Sequence, residues 1–215
     1  MQFSVQRTMM VEWQLRRRGI TDPRILDVFL EVPRHAFVLP EHAAQAYEDC
    51  PLPIGEGQTI SQPYMVALMT EALELTGNET VLEVGTGSGY QAAILARLAH
   101  HVYSIENHPA LAAGAEERLA RLGYTNVTCL VGDGSQGHPE ASPYEAILVT
   151  AAAPRVPESL TGQLAESGRL VIPVGDIYSQ ELVLVRKQQG ELAQKTINYC
   201  RFVPLTGKYG WSDSS

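Results

Sequence analysis

The chain has 215 residues, 45% of them apolar and 19% charged, which is typical of one globular domain that buries a sizeable core. Its net charge of −8 at pH 7 argues against a nucleic-acid partner, because a phosphate backbone is bound by a basic surface. No apolar run approaches the ~18 residues of a membrane-spanning helix, and the first residues lack the basic and apolar segments of a signal peptide. The sequence therefore predicts a cytoplasmic protein, of a size that suits a monomer, with neither a nucleic-acid nor a membrane partner.

Cysteine and histidine offer no metal-ligand pattern. The three cysteines, Cys50, Cys129 and Cys200, are scattered and form neither a disulfide framework nor a Cys-x-x-Cys pair. The six histidines show no His-x-x-x-His spacing. We predict no metal site, and we interpret Cys129, in its apolar stretch, as a core thiol.

Two helices are predicted at the start of the chain. The first covers residues 5–18, with Val5, Met9, Met10 and Trp13 on one side, and ends at Gly19. The second begins at Asp22, as an N-cap before a first-turn proline, and ends before Pro33. The chain is therefore predicted to begin with two helices, ahead of the first strand.

The following segment, residues 33–62, is rich in proline and glycine and is predicted to be an irregular loop. We therefore expect one domain over residues 1–215. In it, residues 1–62 form a helical cap with a substrate or lid loop, and residues 63–215 form the core. The glycines at positions 55 and 57 suggest hinges of a lid, although glycine also serves static turns.

From residue 63 onward, strands alternate with helices. Helices are predicted over 63–75, 90–99, 110–122 and 157–165, and strands over 80–84, 102–105, 127–131, 146–149, 169–174, 182–186 and 196–203. This alternation predicts an α/β fold with a mostly parallel sheet of about seven strands. The last two strands are joined at Gln189–Gly190 without a helix, which predicts an antiparallel hairpin.

A glycine loop follows the first strand of this core. The strand at 80–84 runs into Gly85-Thr86-Gly87-Ser88-Gly89 and then into a helix. Glycines at the carboxyl end of such a strand let the backbone turn sharply and approach a ligand closely. The loop alone suits NAD, flavin or S-adenosylmethionine, and some such loops only pack a helix against a sheet.

Two carboxylates favour S-adenosylmethionine. Glu83 lies at the mouth of the first strand, and Glu106 ends the next one, where an acid can bind both ribose hydroxyls. S-adenosylmethionine carries positive charge and no phosphates, whereas a pyrophosphate requires a helix N-terminus without nearby acids. Tyr90 also replaces the third glycine of the dinucleotide fingerprint. Each acid has a structural alternative: Glu83 as a solvated strand-end acid, Glu106 as a helix cap before Pro109.

Gly132-Asp133-Gly134 follows the third strand, at the same expected edge of the sheet. Asp133 there suits the adenine amino group of a cofactor. An ordinary Asp-Gly turn explains the same residues equally well.

At this point the chain resembles the protein-L-isoaspartate O-methyltransferase family. The resemblance covers nearly the whole chain and rests on Val32-Pro33-Arg34-His35-Ala36-Phe37-Val38, Ala46-Tyr47, Thr59-Ile60-Ser61-Gln62-Pro63, Leu82-Glu83-Val84-Gly85-Thr86-Gly87-Ser88-Gly89-Tyr90, Gly132-Asp133-Gly134, Pro143-Tyr144-Glu145-Ala146-Ile147, Val149-Thr150-Ala151-Ala152, Gly168-Arg169-Leu170-Val171-Ile172-Pro173-Val174-Gly175 and Phe202-Val203-Pro204-Leu205-Thr206. It implies a Rossmann-like, doubly wound α/β/α sandwich. It also implies methyl transfer from S-adenosylmethionine to the α-carboxylate of L-isoaspartyl residues, followed by succinimide formation and partial return to aspartate.

The resemblance also implies site residues by position. Ser61 falls on the family's active-site serine; cofactor contacts fall on Thr59, Glu83, Gly85, Gly87, Glu106, Asp133 and Gly134; substrate contacts fall on Ser61, Val203, Leu205 and Thr206. The chain departs from the family pattern at Ser167, where glycine is usual, and at Glu145, where aspartate is commoner. These departures put in doubt only the loop geometry near residue 167.

The implied chemistry requires positioning more than proton transfer. The nucleophile is a carboxylate, with a reference pKa near ~3.5, so it is already ionised at pH 7 and needs no general base. A serine hydroxyl can donate to it without adding negative charge, and this is the role we expect of Ser61. Ser61-Gln62-Pro63 is also a good helix N-cap sequence, so a structural role stays open. An exposed strand edge near Val203–Thr206 is expected to bind the backbone of the peptide.

Three other functions remain to be distinguished. A methyltransferase acting on a small molecule or a nucleic acid has the same glycine loop. A binding module that has lost catalysis retains the same fold. An NAD-dependent oxidoreductase is the third, and the loop argues against it.

Overall fold

The computed structural model describes residues 2–211, apart from the side chain of Gln2. The helices are α1 (Gln2–Met9), α2 (Pro23–Glu31), α3 (Pro63–Ala72), α4 (Tyr90–Ala96), α5 (Pro109–Arg121) and α6 (Glu158–Gly162). The strands are β1 (Leu52–Gly55), β2 (Gln58–Ile60), β3 (Thr80–Val84), β4 (His101–Glu106), β5 (Val127–Val131), β6 (Tyr144–Val149), β7 (Leu164–Gly175), β8 (Gln180–Gln188) and β9 (Glu191–Cys200).

The two predicted N-terminal helices are confirmed. Helix α1 continues as a π-helix over Met10–Leu15 and a 3₁₀ turn over Arg16–Arg18. It ends at Gly19, whose φ of 99° is left-handed and therefore suits glycine. Helix α2 is capped as predicted, because the Asp22 carboxylate accepts a hydrogen bond from the backbone N–H of Arg24 at 2.9 Å.

The predicted apolar side of the first helix is wrong in part. Met10 is fully buried, but Val5, Met9 and Trp13 are 61%, 56% and 53% exposed. The buried positions are Met10, Val11 and Leu15. Val5 and Met9 lie in α1, before the π-helix begins, so the apolar stripe has the predicted helical period but faces solvent.

The segment 33–62 is not all irregular. Strands β1 and β2 form an antiparallel hairpin in which Leu52 pairs with Ile60. The turn carries positive φ at Gly55, Glu56 and Gly57. The sequence hides this hairpin because glycine and proline, which mark loops, occupy much of it.

The main sheet has seven strands in the order β5-β4-β3-β6-β7-β8-β9, which confirms the predicted fold. The pairs β4–β5, β3–β4, β3–β6 and β6–β7 are parallel. The pairs β7–β8 and β8–β9 are antiparallel. Positive φ at Gln189 and Gly190 matches the predicted hairpin. The last predicted helix is too long, because β7 begins at Leu164, which pairs with Tyr144.

Both faces of the sheet are covered, as an α/β/α sandwich requires. Successive residues of β3 belong to different apolar clusters: Val81 lies in one cluster with Met10 and Phe29 of the cap, and Leu82 lies in another with Leu160 of α6. The cap thus shares a core with the sheet. Burial of this kind stabilises a fold by about 25 cal/mol for each Å² of apolar surface removed from water.

The two departures from the family pattern have different outcomes. The Glu145 carboxylate accepts a hydrogen bond from the backbone N–H of Thr80 at 2.8 Å, so it joins β6 to the start of β3. Ser167 is exposed and has a φ of 63°, a left-handed conformation that favours the usual glycine.

We expect Ser167→Gly to raise the free energy of unfolding by about 0.5–1 kcal/mol, because the left-handed penalty outweighs the added chain entropy of glycine. Urea unfolding measures this change. Ser167→Ala is the matched control, since it removes the same hydroxyl and keeps the Cβ. Equal stabilities for the two variants would contradict the backbone explanation.

Candidate active site

The glycine loop lies where the strand order reverses, between β3 and β6. Gly85 has a φ of 96°, and a Cβ on it would lie 2.3 Å from the hydroxyl of Thr150. That hydroxyl donates to the carbonyl oxygen of Gly85 at 2.7 Å. A Cβ on Gly134 would similarly lie 2.5 Å from Val84 Cγ1. Glycine is therefore required at both positions by close packing, in the place where α/β sheets bind ligands.

A cleft that is partly open to solvent lies above these glycines. Sequence-predicted residues that border it are Thr59, Ser61, Gly85, Gly87, Glu106, Gly134, Val203, Leu205 and Thr206. The structure thus brings together most of the expected site, from segments far apart in the chain. Glu83 and Asp133 do not border this cleft.

Glu106 lies at the end of β4 and is 6% exposed. One carboxylate oxygen accepts from the backbone N–H of Gly87 at 2.8 Å, and the other accepts from that of His108 at 3.0 Å. The carboxylate therefore fixes the glycine loop and also caps the turn before α5. The two interpretations of Glu106 are compatible, because the same side chain borders the cleft.

Glu83 is fully buried behind the cleft, so the alternative of a solvated strand-end acid is wrong. The Ser104 hydroxyl donates to Glu83 Oε2 at 2.5 Å and also bonds the hydroxyl of Thr86 at 2.6 Å. Within residues 2–211, Glu83 Oε1 has no hydrogen-bond partner. Burial raises the pKa of Glu83 to about 8, and this favours the neutral acid at pH 7.

Asp133 is bound within a turn and by the C-terminal segment. Its Oδ1 accepts from the backbone N–H and hydroxyl of Ser135, and its Oδ2 accepts from Gln136 and from the backbone N–H of Lys208. Burial raises the pKa of Asp133, but the Lys208 and Ser135 hydrogen bonds outweigh that effect and hold it below its usual range. The turn interpretation therefore accounts for the carboxylate in this structure, and the neighbouring Gly134 borders the cleft.

The segment Val203–Thr206 crosses the carboxyl edge of the sheet. The backbone N–H of Ala152 donates to the carbonyl of Val203 at 2.8 Å, and that of Leu205 donates to the carbonyl of Ala152 at 2.8 Å. Asn107 Nδ2 donates to the Thr206 hydroxyl at 3.1 Å. This segment follows the end of β9 at Cys200, so the predicted strand at 196–203 ends earlier than expected.

Ser61 borders the cleft directly after β2 and is half-buried. In the described part of the chain its hydroxyl has no hydrogen-bond partner, and its carbonyl accepts from Arg34 Nη2 at 2.7 Å. Helix α3 is capped by Gln62 without a side-chain hydrogen bond, so the N-cap interpretation of Ser61 is wrong. The hydroxyl is available to a ligand.

Several residues of the site were not predicted from the sequence. Thr150, Asn107 and His108 border the cleft, and each follows the end of a parallel strand. The rule that placed Glu106 at the carboxyl edge applies equally to them. Arg34 offers no such signal, since it comes from the cap.

The described residues show neither a metal-binding cluster nor a membrane-spanning helix. In residues 2–211, no group of three or more His, Cys, Asp or Glu side chains is placed to hold a metal ion. No helix in the same range is long and apolar enough to cross a membrane. Cys129 is half-buried rather than a fully buried core thiol.

The model of the protein-L-isoaspartate(D-aspartate) O-methyltransferase family matches residues 6–210. The chain belongs to this family. Similar proteins include a protein-L-isoaspartate O-methyltransferase of Geobacter metallireducens, 57% identical over 98% of both chains, and one of Trichlorobacter lovleyi, 58% identical over 99% of both.

Solved structures of the same enzyme class agree with the fold. One protein-L-isoaspartate O-methyltransferase is 34% identical, with a TM-score of 0.84, over 95% of this chain and 67% of its own. A Plasmodium falciparum protein assigned to the class, in complex with S-adenosyl-L-homocysteine, is 28% identical, with a TM-score of 0.80, over 92% of this chain and 96% of its own. Likeness of this extent places the isoaspartyl methyltransferase fold over nearly the whole chain.

Proposed function

We propose that this chain transfers the methyl group of S-adenosylmethionine to the free α-carboxylate of L-isoaspartyl residues in damaged proteins and peptides. The observation that carries the proposal is the cleft, where Gly85, Glu106, Ser61 and the segment Val203–Thr206 converge in a member of the isoaspartyl methyltransferase family. The product is a methyl ester that closes to a succinimide with loss of methanol. Hydrolysis of the succinimide returns part of the peptide to normal aspartate.

The residues present suit S-adenosylmethionine. Gly85 and Gly134 let the loops pack tightly on Thr150 and Val84, and both glycines border the cleft, where backbone without side chains suits a closely bound cofactor. The carboxylate of Glu106 borders the same space, and acids suit a cofactor that carries net positive charge. We assign cofactor contacts to Thr59, Gly85, Gly87, Glu106 and Gly134, with Glu83 and Asp133 holding the loops behind them.

When bound, S-adenosylmethionine would supply an electrophilic methyl group, carried on a positively charged sulfur, to the substrate carboxylate. Ser61 donates its free hydroxyl to the substrate carboxylate and orients it. Orientation of this kind is worth up to roughly 7–11 kcal/mol in favourable cases. The side chains have no proton to remove, because a carboxylate is ionised at pH 7.

The substrate peptide is held by Val203, Leu205 and Thr206. The backbone of Val203 and of Leu205 is bonded to Ala152, which keeps this segment at the rim of the cleft. Recognition through backbone suits a substrate class defined by one extra methylene in the main chain. The β1–β2 hairpin lies across the loop, since a Cβ on Gly87 would be 3.2 Å from Ile54 Cδ1, and we propose that it acts as the lid.

We further propose that residues 1–215 form one domain that acts as a monomer in the cytoplasm. One apolar cluster joins the cap to the sheet, which supports a single folding unit. The net charge of −8 supports the absence of a nucleic-acid partner.

We expect Ser61→Ala to lower kcat/KM for an isoaspartyl peptide by roughly 10–100-fold, the effect of losing a hydrogen bond to a charged group. The Kd for S-adenosylmethionine, measured by calorimetry, should stay within about threefold, because a single hydroxyl at the peptide end is removed. Thr125→Ala is the control: it removes an exposed hydroxyl before β5, at the opposite edge of the sheet. Full turnover of Ser61→Ala with unchanged substrate affinity would refute the catalytic role.

The repair outcome tests the function itself. An isoaspartyl peptide is incubated with the protein and excess S-adenosylmethionine, and the isoaspartyl and aspartyl forms, equal in mass, are separated chromatographically. The proposal predicts that aspartyl peptide accumulates over successive cycles. Isoaspartyl peptide that stays unchanged while cofactor is bound would contradict it.

A further inference from the structure

Arg34 is the largest fully buried side chain of the described residues, and it lies in the cap rather than in the sheet. It follows α2 in a short 3₁₀ turn over Arg34–Ala36. Within residues 2–211 no carboxylate forms a salt bridge with it. A buried guanidinium is costly unless its donors are bonded, so its placement calls for a function.

The guanidinium joins three separate segments. Its Nε donates to the carbonyl of Ala46 at 2.7 Å, and its Nη2 donates to the carbonyl of Ser61 at 2.7 Å. Its central carbon lies 4.9 Å from the ring centroid of Tyr90, the first residue of α4 after the glycine loop. Arg34 therefore contacts the cap, the serine of the peptide site and the start of the cofactor helix.

The bond to Ser61 is directional. A guanidinium presents its donors in a fixed planar fork, so two carbonyls bound at 2.7 Å fix the backbone of both segments. The Ser61 hydroxyl has no partner of its own in the described structure, and its position depends on the backbone that carries it. The ring of Tyr90 stacks on the cation and packs at right angles on Phe29, which fixes the third side.

We propose that Arg34 is a positioning residue for methyl transfer. It holds the Ser61 hydroxyl in place relative to the glycine loop, through its hydrogen bond to the Ser61 carbonyl and its contact with the ring of Tyr90. The inference rests on the proposed function, because it requires Ser61 to act on the substrate carboxylate. A lysine at position 34 keeps the charge but reaches one carbonyl at most, since it lacks the fork. A methionine fills similar volume and loses both bonds.

The experiment is a double-mutant cycle with the enzyme, S-adenosylmethionine and an isoaspartyl peptide. Single variants Arg34→Lys and Arg34→Met are compared in the parent and in Ser61→Ala, by kcat, KM and cofactor Kd. We expect Arg34→Met to lower kcat by roughly 10–100-fold, the effect of misplacing a group by about 1 Å. Cofactor Kd should change by less than about threefold. In Ser61→Ala, the further loss should fall below about threefold, since two residues that act through one group are not additive.

Arg7→Met is the matched control. Arg7 also ties the cap together, donating to the carbonyls of Leu30 and Glu31 at 2.8 and 3.0 Å, but it does not reach Ser61. It should lower thermal stability without changing kcat. If Arg34→Met does not fold, Arg34→Lys carries the same cycle with a smaller expected loss.

The outcomes separate the two proposals. A parent enzyme that fails to methylate the isoaspartyl peptide overturns the function and the role of Arg34 together. An active parent in which the Arg34 variants lose kcat equally with and without the Ser61 hydroxyl overturns the positioning role alone. An unchanged kcat in a folded Arg34→Met variant would also overturn the positioning role alone.

Discussion

Gly85→Ala should raise the Kd for S-adenosylmethionine by roughly 30-fold or more, at about 1.4 kcal/mol for each factor of ten. The new Cβ would lie 2.3 Å from the Thr150 hydroxyl, and the φ of 96° is unfavourable for any residue with a Cβ. The hydroxyl donates to the carbonyls of Gly85 and Val84, so the clash also breaks bonds that hold the loop. Calorimetric titration with the cofactor or with S-adenosylhomocysteine measures the change.

Gly77→Ala is the control for backbone strain alone. Gly77 has a similar φ of 109°, but nothing lies within 4 Å of a Cβ built there, in the connection before β3. It should lose about 1 kcal/mol of stability and retain cofactor affinity. Thr150→Ala removes the clashing hydroxyl, so Gly85→Ala should weaken binding less in that background. Equal effects of Gly85→Ala with and without the hydroxyl would contradict the packing explanation.

Glu83→Gln should remove a pH dependence of stability that the parent shows between about pH 4.5 and 8. Burial raises the pKa of Glu83 from 4.5 to about 8 in the folded protein. Between these values the folded state holds a proton that the unfolded state has lost, so the free energy of unfolding falls as pH rises. The glutamine is neutral throughout. The stability of the variant relative to the parent should therefore rise by roughly 3–5 kcal/mol from pH 4.5 to pH 8.

Glu79→Gln is a control of opposite sign. Burial raises the pKa of Glu79, but hydrogen bonds from the side chain and backbone of Thr76 and the backbone of Gly77 outweigh it and lower the pKa. Its stabilisation is present above the unfolded pKa and lost as pH falls through the folded value. Urea unfolding across the pH range should show the two variants diverging from the parent in opposite directions. A Glu83→Gln difference that is flat with pH would refute the buried neutral acid.

The strands and helices of the core were predictable because their signals are local. The strand at Thr80–Val84, its glycine loop and the Gln189–Gly190 hairpin each depend on neighbouring residues. The carboxyl-edge rule then placed Glu106 and Gly134 at one cleft without knowledge of strand order. Elements that depend on packing were less predictable: Met9 and Trp13 match a helical stripe but face solvent, since periodicity identifies a stripe and not the face that packs on the core.

The details of the site depend on partners distant in sequence. Glu83 was expected at the mouth of the strand, but the register that pairs β3 with β4 places Ser104 beside it and buries both. Asp133 was predicted either to bind the adenine amino group or to form an Asp-Gly turn, and in the structure its carboxylate accepts from the backbone N–H of Lys208, 75 positions later. Arg34 reaches Ser61 across 27 positions. Spacing along the chain carries no signal for such contacts.

The most direct measurement is methyl transfer from labelled S-adenosylmethionine to a short peptide with one isoaspartyl residue, beside the same peptide with normal aspartate. We expect a base-labile methyl group on the isoaspartyl peptide alone. Methylation of neither peptide by a protein that binds the cofactor, or equal methylation of both, would contradict it. The first result would favour another acceptor or a binding module, and the second would remove isoaspartyl specificity.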